Sequence, residues 1–166
     1  MGRYDAATGV EGEYEPGSRG RVLRNLRGIR TKREMDEAEE GALLEVQRRY
    51  VETIAVDHPF KSADLRQMHR DWLGAIYPWA GNYRTVEMSK GGFVWPPARL
   101  VGQNMERFER DTLKRLMPLA GEDDAIIARA LAEVQVDRLL IHPFREGNGR
   151  LSRWFVDLLA MQGEER

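Results

Sequence analysis

Cysteine is absent from the 166 residues of this chain, which excludes disulfide bonds and cysteine-based metal sites. No apolar run approaches membrane-spanning length, and the first residues lack the pattern of a signal peptide. Net charge is also nearly absent, at −1, so the charge balance gives no support for a nucleic-acid role. We therefore expect a cytoplasmic protein, or one delivered to the cytosol of another cell.

The composition is that of a globular protein, with 42% hydrophobic and 32% charged residues. Residues 1–18 hold few large apolar groups and predict an irregular arm, so residues 19–166 are expected to form a single domain. Seven basic residues lie in 19–33. They indicate either a patch for an acidic partner or a segment that docks by its apolar residues, and we favour docking.

Apolar periodicity and capping signals predict a mostly helical chain. Thr31 and Glu34 have capping-box spacing, and the acidic run Asp36 to Glu40 is expected to be a solvated face. Two β-prone runs flank Gly91-Gly92 and predict a hairpin. The expected helices span about residues 31–56, 62–77, 97–117, 124–141 and 151–161.

Residues 142–153 concentrate groups suited to phosphate chemistry. Histidine is the residue type whose usual pKa lies near neutral, so His142 is the candidate general base. Glu146 is a hard oxygen ligand suited to Mg²⁺. Gly147 and Gly149 can adopt positive φ, which would let backbone N–H groups converge in an anion nest.

A helix is expected directly behind this turn, and its N-terminus favours phosphate. Arg150 and Arg153 lie three residues apart, close to one face of that helix, and can neutralise further phosphate oxygens. The alternative is a plain connecting loop with an incidental histidine and surface arginines.

The stretch His142 to Arg153 matches every defined position of the Fic family signature, His-x-Phe-x-Asp/Glu-Gly-Asn-Gly-Arg-x-x-Arg. A second stretch, Trp79 to Arg84, resembles the Trp-Ala-Gly-x-x-Arg element of Fic domains. The resemblance covers roughly residues 20–162. It implies an all-α fold, a Fic-type helical bundle with one small β-hairpin flap.

The resemblance also implies a protein adenylyltransferase, which transfers AMP from ATP to a Ser, Thr or Tyr hydroxyl of a target protein. His142 would deprotonate that hydroxyl, and Mg²⁺ would bind at Glu146. The implied nucleotide-binding residues are Gly147, Asn148 and Gly149 around the α-phosphate, with Arg150 and Arg153 at the β/γ end.

The hairpin has an exposed edge that could accept a target segment by strand addition. In Fic domains this flap is implied to hold the target, and Met88 and Phe93 are the candidates for clamping its side chain. Phe144 is expected to anchor the motif loop in the core, and His69 is expected to be a packed histidine. Arg145 stands at a variable position and is given no role.

Other activities stay open. A kinase-like branch of the superfamily has Lys where this chain has Gly149, and a phosphocholine-transferring branch departs from Gly-Asn-Gly, so nucleotidyl transfer is favoured. The motif does not exclude UMP or GMP transfer. A catalytically silent binding module is the rival from another class. A metal-dependent nuclease is disfavoured, because three histidines without a carboxylate cluster make a poor two-metal site.

Many Fic proteins carry an inhibitory helix with Ser/Thr-x-x-x-Glu, whose Glu pairs with the second motif arginine. No Ser or Thr of this chain has Glu four residues later, and the nearest pair is Thr53 and Asp57. We therefore expect that Arg153 is restrained by a separate antitoxin-like protein or by nothing, which would suit the toxin of a toxin–antitoxin pair.

Overall fold

A computed structural model describes residues 5–6, 10–119 and 121–164. In that part of the chain three short strands form one sheet, and the remaining regular structure is helical. This confirms the predicted helical bundle with a small hairpin. The helices are α1 (Lys32–Thr53), α2 (Ser62–Leu73), α3 (Val101–Phe108), α4 (Lys114–Leu116), α5 (Asp124–Ile141) and α6 (Asn148–Glu164), and the strands are β1 (Asp5–Ala6), β2 (Met88–Lys90) and β3 (Phe93–Val94).

Several helix bounds differ from the expected ones. The Thr31 side chain caps α1 by accepting the Glu34 N–H at 3.3 Å, as predicted, but α1 and α2 end earlier than expected. The single helix expected over 97–117 begins with a 3-10 turn at Ala98–Leu100 and passes through a π-helical stretch, Glu109–Leu113, between α3 and α4. Periodicity alone does not distinguish these tighter and wider turns from an α-helix.

Helix α2 lies at the centre of the core. Its buried positions follow the spacing of a helical stripe that faces neighbours along its whole length, and they are Leu65, Met68, His69, Trp72 and Leu73. Each fully buried apolar side chain contributes roughly 1.5–3 kcal/mol. Fully buried partners from other elements are Val101, Met105, Phe144, Leu151 and Phe155. The motif loop is therefore anchored in the same core as α2.

The hairpin turns at Gly91 and Gly92, whose φ angles of 55° and 84° favour glycine, and Lys90 pairs with Phe93. On its other side β2 pairs with β1, so part of the predicted irregular arm adds a third strand. That strand covers the edge of β2. The outer strand β3 exposes Phe93 and Val94.

The described part of the arm also contacts the motif loop. The Glu11 carboxylate accepts the Thr85 N–H at 3.0 Å, and its carbonyl accepts from Arg145 Nε at 2.9 Å. Arg145, for which the sequence indicates no role, is therefore buried and binds the arm. Residues 1–4 and 7–9 of the arm lie outside the described residues, and the division at residue 18 stays a prediction.

The basic segment docks as expected. Val22 and Leu23 are buried, whereas its arginines are exposed. Among the described residues, none of the helices combines the length and the apolar character that crossing a membrane requires.

We predict opposite effects for two Gly→Ala substitutions. Gly81 has φ of 80°, and a Cβ there would lie 2.8 Å from Arg70 Cβ, so Gly81→Ala should destabilise the fold by about 1–3 kcal/mol. Gly41 lies in α1, and an added methyl group there would meet nothing within 4 Å, so Gly41→Ala should stabilise by about 0.5–1 kcal/mol. Urea unfolding would measure both, and equal effects would contradict this account.

Candidate active site

His142 stands at the C-terminal end of α5 in the left-handed conformation, with φ of 52° and ψ of 61°. Its N–H donates to the Arg138 carbonyl at 3.0 Å, and Pro143 then prevents the helix from continuing. A non-glycine residue in this region costs energy, and such strain clusters at functional sites. The fold therefore holds the candidate base in an otherwise unfavourable conformation.

Arg84 fastens His142 to the hairpin. Its buried guanidinium donates to the carbonyls of His142 at 2.7 Å, Val86 at 2.9 Å and Pro96 at 2.6 Å. Its backbone N–H donates to the Pro143 carbonyl at 2.8 Å. Burial lowers the pKa of Arg84. This gives the Trp-Ala-Gly-x-x-Arg element a physical role, because its arginine joins both ends of the hairpin to the backbone of the candidate base.

The His142 side chain is only 4% exposed. Burial lowers its pKa to about 3, with smaller contributions from the positive charges of Arg84, Arg138 and Lys90, while the Leu139 carbonyl acts in the opposite direction. The imidazole is therefore neutral at physiological pH, which is the form that accepts a proton.

The turn after His142 differs from the expected nest in one respect. Gly147 has φ of 84°, and a Cβ there would lie 2.7 Å from the Trp72 ring, so this position requires glycine. Gly149 does not have positive φ, which corrects the expectation, because α6 begins at Asn148 and already includes it. The expected anion site therefore takes the form of a helix N-terminus, where the first N–H groups lack partners within the helix.

Asn148 closes the loop with its side chain. The amide oxygen accepts the Phe144 N–H at 3.0 Å, and the amide nitrogen donates to the Phe144 carbonyl at 2.6 Å. The side chain is thus engaged within the protein. The part of Asn148 that suits a phosphate is its backbone N–H at the start of α6.

His69 is buried and packs against the motif loop, as expected for a packed histidine. Its ring stacks on Phe144 at 4.0 Å between centroids and 7° between planes. Nδ1 accepts the Gly81 N–H at 2.8 Å, so Nε2 carries the proton and donates to the Glu146 carbonyl at 3.0 Å. Burial lowers the pKa of His69 to about 3, and the ring is neutral. Phe144 is the expected core anchor.

The two motif arginines have different surroundings. Arg150 Nη2 lies 2.6 Å from a Glu39 carboxylate oxygen and 3.6 Å from Glu146 Oε1, with its guanidinium over the Trp72 ring. Arg153 is exposed, and its guanidinium lies beside Gly149. Arg153 is therefore the more accessible cation for a ligand.

Glu39 was missed by the sequence reasoning, which placed the whole acidic run on a solvated face. It is 4% exposed, pairs with Arg150, and accepts the Tyr77 hydroxyl at 2.6 Å. A signal was present, because Glu39 falls on the same helical stripe as Met35, Ala42 and Val46. A carboxylate within an apolar stripe indicates a buried partner.

Glu146 is suited to a metal ion whose other ligands come from phosphate groups and water. Its Oε1 accepts the Gly147 N–H at 2.9 Å, and its side chain is 12% exposed. No cluster of three or more potential metal-ligating side chains occurs within the described residues. A single carboxylate fits Mg²⁺, which is commonly held by one or two carboxylates together with phosphates and water.

The hairpin presents one of the two expected clamp residues. Met88 is buried, because its side chain points to the inner face of the sheet, so it is not placed to contact a target. This corrects the expectation for Met88. Phe93 is 48% exposed. Trp95, which the sequence reasoning did not single out, lies against the His142 ring.

Comparison with solved structures defines the class of this fold as the Fic domains. BepC of Bartonella tribocorum, with bound AMPPNP, aligns with a TM-score of 0.74 and 22% identity over 83% of this chain and 72% of that chain. An N-terminal Fic domain from Bartonella quintana, with bound ADP, aligns with a TM-score of 0.71 and 24% identity, over 82% of this chain and 70% of that chain.

The sequence comparison identifies the family. The model of the Fic/DOC family matches residues 59–160, and the chain belongs to this family. The "Probable protein adenylyltransferase y4lH" of Sinorhizobium fredii is 32% identical over 84% of this chain and 70% of its own length. Protein adenylyltransferase VbhT of Bartonella schoenbuchensis is 24% identical over 98% of this chain, which spans only 33% of VbhT. These relatives confirm the prediction of an enzyme of the nucleotidyltransferase class.

We predict that His142 makes stability fall with acidification. Its pKa is about 3 when folded against a usual 6.5, so below pH 6.5 the unfolded chain binds a proton that the folded chain does not. Between pH 6.5 and 5, the free energy of unfolding should fall by about 1.6 kcal/mol more than that of His142→Asn, with a slope that approaches about 1.4 kcal/mol per pH unit at the acid end. Asn tolerates the left-handed conformation, and parallel curves for the two proteins would refute the prediction.

Proposed function

We propose that this chain is a protein adenylyltransferase that transfers AMP from ATP to a hydroxyl of a target protein. The observation that carries the proposal is the placement of a neutral, strained histidine, His142, at the end of α5, one short loop before a helix N-terminus that suits phosphate. The names of y4lH and VbhT support it.

His142 is the proposed general base. Its neutral imidazole takes the proton from a Ser, Thr or Tyr hydroxyl of the target. The oxygen attacks the α-phosphorus of ATP as the bond to the bridging oxygen breaks, so AMP becomes bonded to the target and pyrophosphate leaves. Arg84 contributes by holding the His142 backbone in place.

The phosphates are proposed to lie along the start of α6. The N–H groups of Asn148 and Gly149 hold the α-phosphate oxygens, on which negative charge is redistributed during transfer. The Gly147 N–H joins them when it releases the Glu146 carboxylate. Arg153 holds the β/γ end, and Arg150 adds positive charge while it stays paired with Glu39. Glu146 would hold a Mg²⁺ ion that arrives with the nucleotide, and the ion would supply positive charge against the phosphates.

The target is proposed to approach along the hairpin, with Phe93 contacting its side chain. Within the described residues β1 covers the edge of β2, so the edge of the hairpin itself that is left for strand addition is that of β3. A cytosolic target fits the relatives, among them BepC, which is described as a VirB-translocated Bartonella effector. A toxin role with a separate antitoxin-like inhibitor of Arg153 is part of the proposal.

We predict that label from α-labelled ATP, but not from γ-labelled ATP, appears on a protein band when the chain is mixed with cell lysate and Mg²⁺. The reason is that AMP carries only the α-phosphate. His142→Ala should remove the label, because the target hydroxyl then has no base. Autoradiography of the separated proteins is the measurement.

The other outcomes discriminate among the rivals. Transfer of γ-label would make the chain a kinase with reversed nucleotide. Label from α-labelled UTP or GTP in place of ATP would change the nucleotide but keep the reaction class. No transfer from any nucleotide, together with tight ATP binding in calorimetry, would leave a binding module and contradict the proposal.

We predict that Arg150→Ala mainly lowers the stability of the fold, whereas Arg153→Ala mainly lowers activity. Arg150→Ala should lower the free energy of unfolding by about 3 kcal/mol, because it leaves the buried Glu39 carboxylate without its cation. Arg153→Ala should leave stability nearly unchanged and reduce label transfer about a hundred-fold. Denaturant unfolding and label transfer would be measured for both variants. If Arg153→Ala lost stability and Arg150→Ala did not, the roles assigned to the two arginines would be wrong.

A further inference from the structure

Trp95 lies directly on the candidate base. The centroids of its indole and of the His142 imidazole are 4.0 Å apart, with 28° between the ring planes. Trp95 follows β3, and its backbone N–H donates to the Met88 carbonyl at 3.1 Å. The indole is therefore fixed to the hairpin, although His142 belongs to the end of α5.

A second contact joins Trp95 to the same place. Trp95 Nε1 donates to the Leu139 carbonyl at 3.0 Å. In a continuing helix that carbonyl would accept the N–H of the residue four positions later, but this residue is Pro143, which has none. The proline of the motif thus leaves an acceptor open in the last turn of α5, and the indole fills it. The imidazole of His142 also interacts with this carbonyl.

The geometry suits a base that must be held in place. Stacking covers one face of the imidazole, and both ring nitrogens, which lie on its edge, are buried. Stacking against an indole that is itself fixed by its hydrogen bond to the Leu139 carbonyl limits rotation of the His142 ring. Near-attack geometry is sensitive to displacements of about 1 Å, so a fixed ring matters for proton transfer.

We propose that Trp95 is the positioning residue of His142, holding the imidazole through ring stacking and through the carbonyl that Pro143 leaves open. The inference rests on the proposed function for the role of His142 as base. Phe93, the proposed target contact, meets the edge of Trp95 at 5.2 Å between centroids. A target held at Phe93 therefore touches the residue that orients the base.

The test separates the stack from the hydrogen bond with two variants. Trp95→Phe keeps an aromatic ring but loses the N–H donor, and Trp95→Ala loses both. Val94→Ala is the matched control, because Val94 is the neighbouring β3 side chain and is 70% exposed.

The first readout needs no activity. The chain has three histidines, so the side-chain NMR spectrum is simple, and His142→Asn assigns the signals of His142. Trp95→Ala should move these signals downfield as the ring current of the indole is lost, while Val94→Ala leaves them in place. Unchanged signals of His69, which is buried in the core, show that each variant is folded.

The second readout is label transfer from α-labelled ATP in lysate, at saturating and limiting ATP. Trp95→Ala should lower the rate at saturating ATP about a hundred-fold, as expected for a misplaced base, with the KM for ATP unchanged. Trp95→Phe should transfer label at a rate about tenfold below that of the wild type, because it keeps the aromatic stack and loses one hydrogen bond.

Two results would overturn the inference. One is a Trp95→Ala protein whose His142 signals do not move. The other is a Trp95→Ala protein whose signals move but whose transfer rate equals that of the wild type. If the wild-type chain transfers no label, the proposed function fails, and the spectra then decide only whether Trp95 stacks on the His142 ring.

Discussion

The arrangement of this site depends on the hydrogen bonds of the buried Arg84 guanidinium. It binds carbonyls at the end of α5 and at both ends of the hairpin, which are distant in sequence. Hydrogen bonds to a charged donor are worth roughly 1.5–3 kcal/mol each, and a buried carbonyl left unpaired costs a similar amount. One side chain thus satisfies the helix end and fixes the flap relative to the base. Trp95 adds a second link between the hairpin and the end of α5, through its hydrogen bond to the Leu139 carbonyl.

Local sequence signals predicted most of the framework. The helical pattern, the Thr31 cap, the Gly91-Gly92 turn and the motif loop depend on residues close in sequence, so they can be read from spacing. The Gly147 turn was predicted for the same reason. The positive φ predicted for Gly149 was wrong, because a glycine permits that conformation without requiring it, and α6 begins at Asn148, three residues before the expected start at Leu151. The resemblance to Fic domains supplied the chemistry that spacing alone left open.

Contacts between distant segments could not be predicted in the same way. Glu39 binds Arg150 from another helix, and the stacking of Trp95 on His142 depends on how the hairpin folds back over α5. The arm that was expected to be irregular also reaches the site, through Glu11 and its contacts with Thr85 and Arg145. In each case the residue type was visible, but its partner was set by tertiary packing. Burial of a charged side chain is a property of the assembled fold.

The left-handed backbone of His142 has a consequence for how this sequence can drift over generations. Glycine, asparagine and aspartate adopt that conformation most readily, yet none of them offers an imidazole. A substitution that relieves the backbone strain at residue 142 therefore also removes the proposed base. Copies of the gene freed from selection for activity should therefore lose this histidine early.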